Sequence, residues 1–215
     1  MIVDKTPQSF YKKAFYLSLL LRVSPFVRLV AVSGSVAKNS HDIKSDIDFW
    51  IVAKNNRLWT CRAFVLGLTQ ILGLRVDFKN QKMAGRACFN CFQTEDNLKV
   101  NPQAKRVALD YSQLYILWYS DNLVAHYLFA NKWMLKFTKK FNLKTLKPNF
   151  WLKLINLVFC AIQFVSEFIY DLFLSSWGEE KLTRLQQEKM KNNYQKNRWP
   201  TKKLYFSRQE VRTHW

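Results

Sequence analysis

The sequence predicts an α/β (α+β) fold, a sheet carrying helices, followed by a helical C-terminal subdomain. Two short aliphatic runs, Val27 to Val32 and Asp46 to Ala53, flank a glycine turn and lead into an amphipathic helical pattern. Beyond Asp110 the pattern changes to long helical repeats. With 215 residues, 49% of them hydrophobic, the chain is long enough for one substantial core or two small ones.

In chain order, Thr6-Pro7 offers a cap and a first-turn proline, and Phe10, Ala14, Leu17 and Leu21 recur at helical spacing, so a first helix ends before Pro25. The aliphatic run from Val27 reads as a strand covered on both faces, broken by Gly34. A second strand covers about Asp46 to Ala53. Asn55 and Asn56 are expected to cap a helix in which Leu58, Cys61, Val65, Leu68 and Leu72 repeat, and Gly73 closes it. Leu74 to Phe78 and Ala87 to Phe92 are too short for helices and rich in Val, Phe and Cys, which suits further strands. Three helices are then expected, at about Asp110 to Lys140, Phe150 to Ser176 and Glu179 to Asn193. Residues 194–215 read as a basic tail, partly disordered, with one short strand at Leu204-Tyr205-Phe206.

A net charge of +19 draws polyanions, so a nucleotide, a nucleic acid and an anionic surface are all physically reasonable partners, and a merely solvated basic surface explains the charge equally well. Four cysteines are too few for a disulfide scaffold, and the N-terminal apolar run is short and interspersed with lysines, which fits a cytoplasmic protein. Cys88-x-x-Cys91 has no second ligand pair at zinc spacing and reads as strand cysteines. The apolar stretch from Trp151 to Trp177 is interrupted by Glu167 and Asp171. It is expected to be a core or partner-facing helix, ahead of a membrane-interfacial one, and no membrane association is expected.

The chemistry sits in "AVSGSVAKNSHDIKSDIDFWIV", residues 31–52. Asp46 and Asp48 are two apart on a strand, so they share a face with Cα atoms roughly 6.6 Å apart. Such a pair can bridge two Mg²⁺ ions, and the Gly34-Ser35 turn would add backbone N–H groups and a hydroxyl for phosphate. Alone, an Asp-x-Asp or a Gly-Ser turn is a common surface feature; their combination in strand, turn, strand, helix order is the signal.

This arrangement resembles the nucleotidyltransferase superfamily, which includes DNA polymerase beta, kanamycin nucleotidyltransferase and the minimal nucleotidyltransferases. The resemblance covers roughly residues 26–92. The motifs "RLWTCRAF", "QTEDNL" and "ANKW" also resemble a bacterial subgroup of uncharacterised proteins with this domain. The patterns read above divide the chain into residues 1–108, a helical subdomain over 109–193 and the tail over 194–215, and the resemblance implies a nucleotidyltransferase-like mixed sheet for the first of these. It further implies transfer of a nucleoside monophosphate, AMP from ATP or the equivalent from another NTP, to an acceptor with release of pyrophosphate. Gly34 and Ser35 would contact the nucleotide, and Asp46 and Asp48 would hold two Mg²⁺ ions as catalytic ligands.

A third carboxylate on a neighbouring strand completes the site in active members. Asp77 in "LRVDF" is the catalytic candidate; if Ala87 to Phe92 is the equivalent strand, the position falls instead on Asn90, which cannot act as a base. The acceptor stays open among a small molecule, a protein and RNA, and nucleic acid suits the basic charge. The alternative is a catalytically degenerate member that works as a nucleotide-, partner- or nucleic-acid-binding module.

Overall fold

Burial of the two aliphatic runs on both of their faces organises the chain, which is seen in a computed structural model describing residues 7–76, 83–120, 122–146, 150–173, 175–196 and 204–212. Strand β1 (Val27–Val32) pairs antiparallel with β2 (Ile47–Ala53), placing Val32 opposite Phe49 and Val30 opposite Ile51. On the far side of β2, β3 (Ala87–Thr94) runs parallel to it. Strand β4 (Tyr115–Tyr119) pairs antiparallel with the other edge of β1, and β5 (Lys144–Thr145) follows it in parallel. A C-terminal hairpin of β6 (Tyr205–Phe206) and β7 (Glu210–Arg212) extends the sheet from β3. The seven-stranded mixed sheet has the order β5-β4-β1-β2-β3-β7-β6.

Alternation along the strands divides the core into two layers. Val30, Val32, Phe49 and Ile51 pack against α1 (Pro7–Leu21) and α3 (Leu58–Ile71) through Phe10, Leu17, Trp59 and Val65. On the opposite face, Leu29, Ala31, Trp50 and Val52 meet α4 (Lys105–Tyr111), α5 (Leu123–Ala130) and the 3₁₀ turn Lys132–Lys136. A one-turn α2 (Gly34–Ala37) links β1 towards β2. The chain closes with α6 (Phe150–Phe173) and α7 (Ser175–Lys196), which precede the hairpin.

Three expectations differ from this architecture. The helix expected over Asp110 to Lys140 is α4, β4, α5 and the 3₁₀ turn. Tyr115-Ile116-Leu117-Trp118-Tyr119 is aromatic and β-rich, and it satisfies the open edge of β1, a tertiary demand that outweighs the helical spacing of its aromatics. The N-terminus of α3 has no side-chain cap of its own, because the Glu179 carboxylate of α7 accepts from the Trp59 and Thr60 N–H groups at 2.8 and 2.9 Å. Within the segment expected as a basic tail, Val211 is buried and β7 pairs with β3. A polar chain anchors that hairpin: Trp50 Nε1 donates to Gln93 at 3.0 Å, Gln93 Nε2 donates to Glu210 at 3.3 Å, and Glu210 pairs with Arg212.

Helix α6 is attached through charge. The Arg28 guanidinium donates to both carboxylate oxygens of Glu167 at 2.7 and 2.8 Å, and Glu167 also accepts from the Phe26 N–H at 2.8 Å. Both side chains are largely buried, so removing one partner strands the other charge in a poorly solvated place. Glu167→Gln is therefore expected to cost about 3 kcal/mol of folding stability by urea denaturation. An unchanged midpoint would show that the pair does not hold α6 in place.

Candidate active site

Asp48 lies on the face of β2 that also carries Trp50, but one residue pair nearer the strand's start, where the core gives way to an open cleft. Gly34 is the reason it fits. The turn after β1 needs φ +69° at this residue, and a Cβ there would overlap the Asp48 carboxylate oxygen. The Ser33 N–H donates to the Asp48 carbonyl at 2.9 Å, locking the turn to β2. Gly34, Ser35 and Asp48 line a cleft of about 700 Å³ together with Lys38, Lys105, Arg106 and Asp110.

Asp46 stands just before β2. Its carboxylate, that of Asp48 and the Cys88 thiol of β3 have ligand atoms all within 4.8 Å of one another. The register explains the third member, since Asp48 is opposite Cys88 in the parallel pair. Beyond them Phe49 pairs with Phe89 and Trp50 with Cys91, leaving Asn90 as an extra residue in a bulge. The Asn90 amide donates to the Asp48 carboxylate and accepts from the Cys88 thiol at 3.1 Å. The expected Gly34, Ser35 and Asp48 thus line one opening, and the expected Asp46 has its carboxylate beside that of Asp48. Asp77 lies outside the described residues.

Lys38, Lys105, Arg106, Leu109 and Asp110 also line this opening and were not singled out from the sequence as site residues. Lys38 is one helical turn after Gly34 and forms a 2.7 Å ion pair with Asp110 of α4; its spacing from the glycine turn was a readable signal. Lys105 and Arg106 reach the cleft only because α4 packs over that face of the sheet, and no local pattern announces this. Cys88 reads as a core cysteine until the β2–β3 register is known, whereas Cys91 is packed in the core and stands apart from the acidic group.

The electrostatics of Asp48 follow from its position. Burial, then the like charges of Asp46 and Asp110, push its carboxyl up to about 7. Burial, then the neighbouring aspartates, also raise the Cys88 thiol, which is neutral at neutral pH. The two carboxylates could hold a divalent cation, which would relieve the repulsion that raises Asp48, whereas the neutral Cys88 thiol is a poor ligand for a hard ion. The two oxygen ligands suit Mg²⁺ or Mn²⁺.

Between the ordinary carboxylate range and about 7, Asp48 holds a proton in the folded chain that it loses on unfolding, so the metal-free protein loses stability as pH rises through that interval. Cation binding needs the ionised form and strengthens over the same interval. Calorimetric titration with Mn²⁺ should show roughly tenfold weaker binding at about pH 6 than at about pH 8, with proton release at the lower pH; equal affinity would contradict the raised carboxyl. Gly34→Ala should displace the Asp48 carboxylate, cost at least about 1 kcal/mol of stability and abolish Mn²⁺ binding. Retained binding would show that the turn does not position the acid.

Residues 18–115 match the family model described as the nucleotidyltransferase domain. That span takes in β1, the Gly34-Ser35 turn, β2, α3, β3 and α4. Searches of curated proteins and of solved structures found no match. The mixed sheet, with paired aspartates entering β2 after a glycine turn, agrees with the matched span, so residues 18–115 are similar to a nucleotidyltransferase domain.

Proposed function

We propose that the chain is a metal-dependent nucleotidyltransferase that transfers a nucleoside monophosphate, AMP from ATP, to an acceptor and releases pyrophosphate. The observation that carries this reading is the convergence of Asp46 with Asp48, where Asp48 lines one cleft together with the Gly34-Ser35 turn, Lys38, Lys105 and Arg106. Mg²⁺ held by the two aspartates would neutralise triphosphate charge and favour ionisation of the acceptor's attacking group. The chain's own part is orientation. The Ser35 hydroxyl and the backbone N–H groups of the first turn of α2, which have no intrahelical acceptor, would donate to phosphate oxygens in the cleft that Gly34 and Ser35 line. Lys38, Lys105 and Arg106 add positive charge along the route for a leaving pyrophosphate.

Acceptor activation divides the reading. Asp77 is the proposed base. On β3, the strand beside β2, Asp48 meets the neutral Cys88 thiol and the Asn90 amide, and the amide takes no proton. This observation favours a second reading, in which the chain binds nucleotide without transferring it, as a partner-binding module. It also leaves room for transfer to an acceptor whose attacking oxygen is already ionised at neutral pH, such as a phosphate or a carboxylate.

The test begins with Mg²⁺-dependent binding of each NTP by the natural protein and by Asp46→Ala with Asp48→Ala. Metal-dependent binding that the double variant loses is expected, and its absence in the natural protein overturns the nucleotide reading. Label transfer from α-labelled ATP then separates the two readings. Asp77→Asn should lower turnover at least about 100-fold with nucleotide binding retained. Unchanged turnover removes Asp77 from the mechanism, and binding without any transfer supports the module.

A further inference from the structure

Helix α6 is amphipathic in the opposite sense to a helix laid on a soluble core. Among its described side chains, Asn156, Gln163, Glu167 and Asp171 face the domain. Arg22 bonds to the Asn156 amide and carbonyl, Gln163 Nε2 donates to the Val27 carbonyl at 2.7 Å, Glu167 takes Arg28, and Asp171 accepts from Arg57 at 2.7 Å. Most of its described apolar residues face outward, Tyr170 being buried against the core. Phe150, Trp151, Leu157, Phe164, Phe168 and Phe173 are between 61% and 75% exposed. Glu167 and Asp171, which interrupt the apolar run in the sequence, both turn inward, so neither breaks the outer face.

The 24 residues of α6 extend about 36 Å, and the bare apolar positions occupy about half of the helix circumference. Of the stretch Leu154–Phe173, only 11% is buried. An exposed surface of this extent, continuous along a helix, marks a contact with another apolar phase. Length alone would allow a membrane span. The inner face does not, because Glu167 and Asp171 bind arginines of the domain and would carry them into hydrocarbon.

Charge selects the occupant. A second copy of the chain would bring two bodies of net charge +19 together, and their repulsion opposes self-association. The same charge is complementary to an anionic lipid surface. The aromatic content agrees: Phe150 and Trp151 begin the face, and Trp177, 62% exposed at the start of α7, has the Lys181 ammonium 4.8 Å from its ring. We infer that α6 lies in the plane of an anionic bilayer surface, with its outer half in the acyl boundary and its polar half gripping the nucleotidyltransferase domain. This inference is independent of whether the domain transfers nucleotide.

The full chain is tested by flotation with vesicles of phosphatidylglycerol and phosphatidylcholine, and with vesicles of phosphatidylcholine alone. The natural protein should float with the anionic vesicles and less with the neutral ones. Leu157→Glu with Phe164→Glu and Phe168→Glu, all at outward positions, should lower partitioning at least about 100-fold. Quenching of tryptophan fluorescence by lipids brominated on their acyl chains provides a measurement on the natural protein itself, and Trp151→Phe should reduce it. No flotation and no quenching overturns the inference, as does equal flotation of the triple variant. A stable dimer in sedimentation that the triple variant converts to monomer, without vesicle binding, would assign the face to a second copy and also overturn it.

Discussion

The structure depends on placing the Asp48 carboxylate at the boundary between core and cleft. One pair further along β2, Trp50 is wholly buried, and an acid at that depth would be neutral or prohibitively costly. At position 48 the strand is still partly open, and the glycine turn leaves room for the carboxylate oxygens. The antiparallel pairing of β1 with β2 brings the turn to the acid, and the parallel pairing of β2 with β3 brings Cys88 and Asn90 to its other side. Three strands and one glycine therefore determine the site, while the outer strands and helices keep those three in register.

The C-terminal elements perform this supporting role with polar groups at several points. Glu179 caps α3 from α7, Gln186 Nε2 donates to the Trp59 carbonyl at 2.7 Å, and Glu167 satisfies both Arg28 and the Phe26 N–H at the entrance to β1. Attachment through buried charge leaves the apolar half of α6 available for another surface. The proposed nucleotide chemistry at Asp46 and Asp48 and the inferred lipid contact at α6 would then occupy different parts of the chain, connected through β1, whose first residues meet α6 and whose end leads into the glycine turn.

Legibility in the sequence followed the range of the interactions. Strand β1, the Gly34 turn, β2 and α3 were readable because aliphatic runs, a turn glycine and helical repeats are local signals, and the acids two apart had to share a face. Strand β4 was not, since Tyr115, Trp118 and Tyr119 also fit helical spacing and only the empty edge of β1 decides the matter. The cap on α3 was misread for a related reason: Asn55 and Asn56 are locally suitable, but Asn56 adopts φ 59° and the capping carboxylate comes from Glu179, 120 residues away from Trp59 in the chain. Asn90 was legible as an alternative, but its contact with Asp48 depends on a bulge that no residue type announces. The outward apolar half of α6 was hidden because hydrophobic periodicity reports that one face differs from the other, and not which of them meets the protein.

The most direct measurement is diffraction from crystals grown with Mn²⁺ and a non-hydrolysable ATP analogue, collected at the manganese absorption edge. The account predicts anomalous density between the Asp46 and Asp48 carboxylates, with the triphosphate against Gly34-Ser35. Nucleotide bound elsewhere, or manganese ligated by neither aspartate, would contradict it.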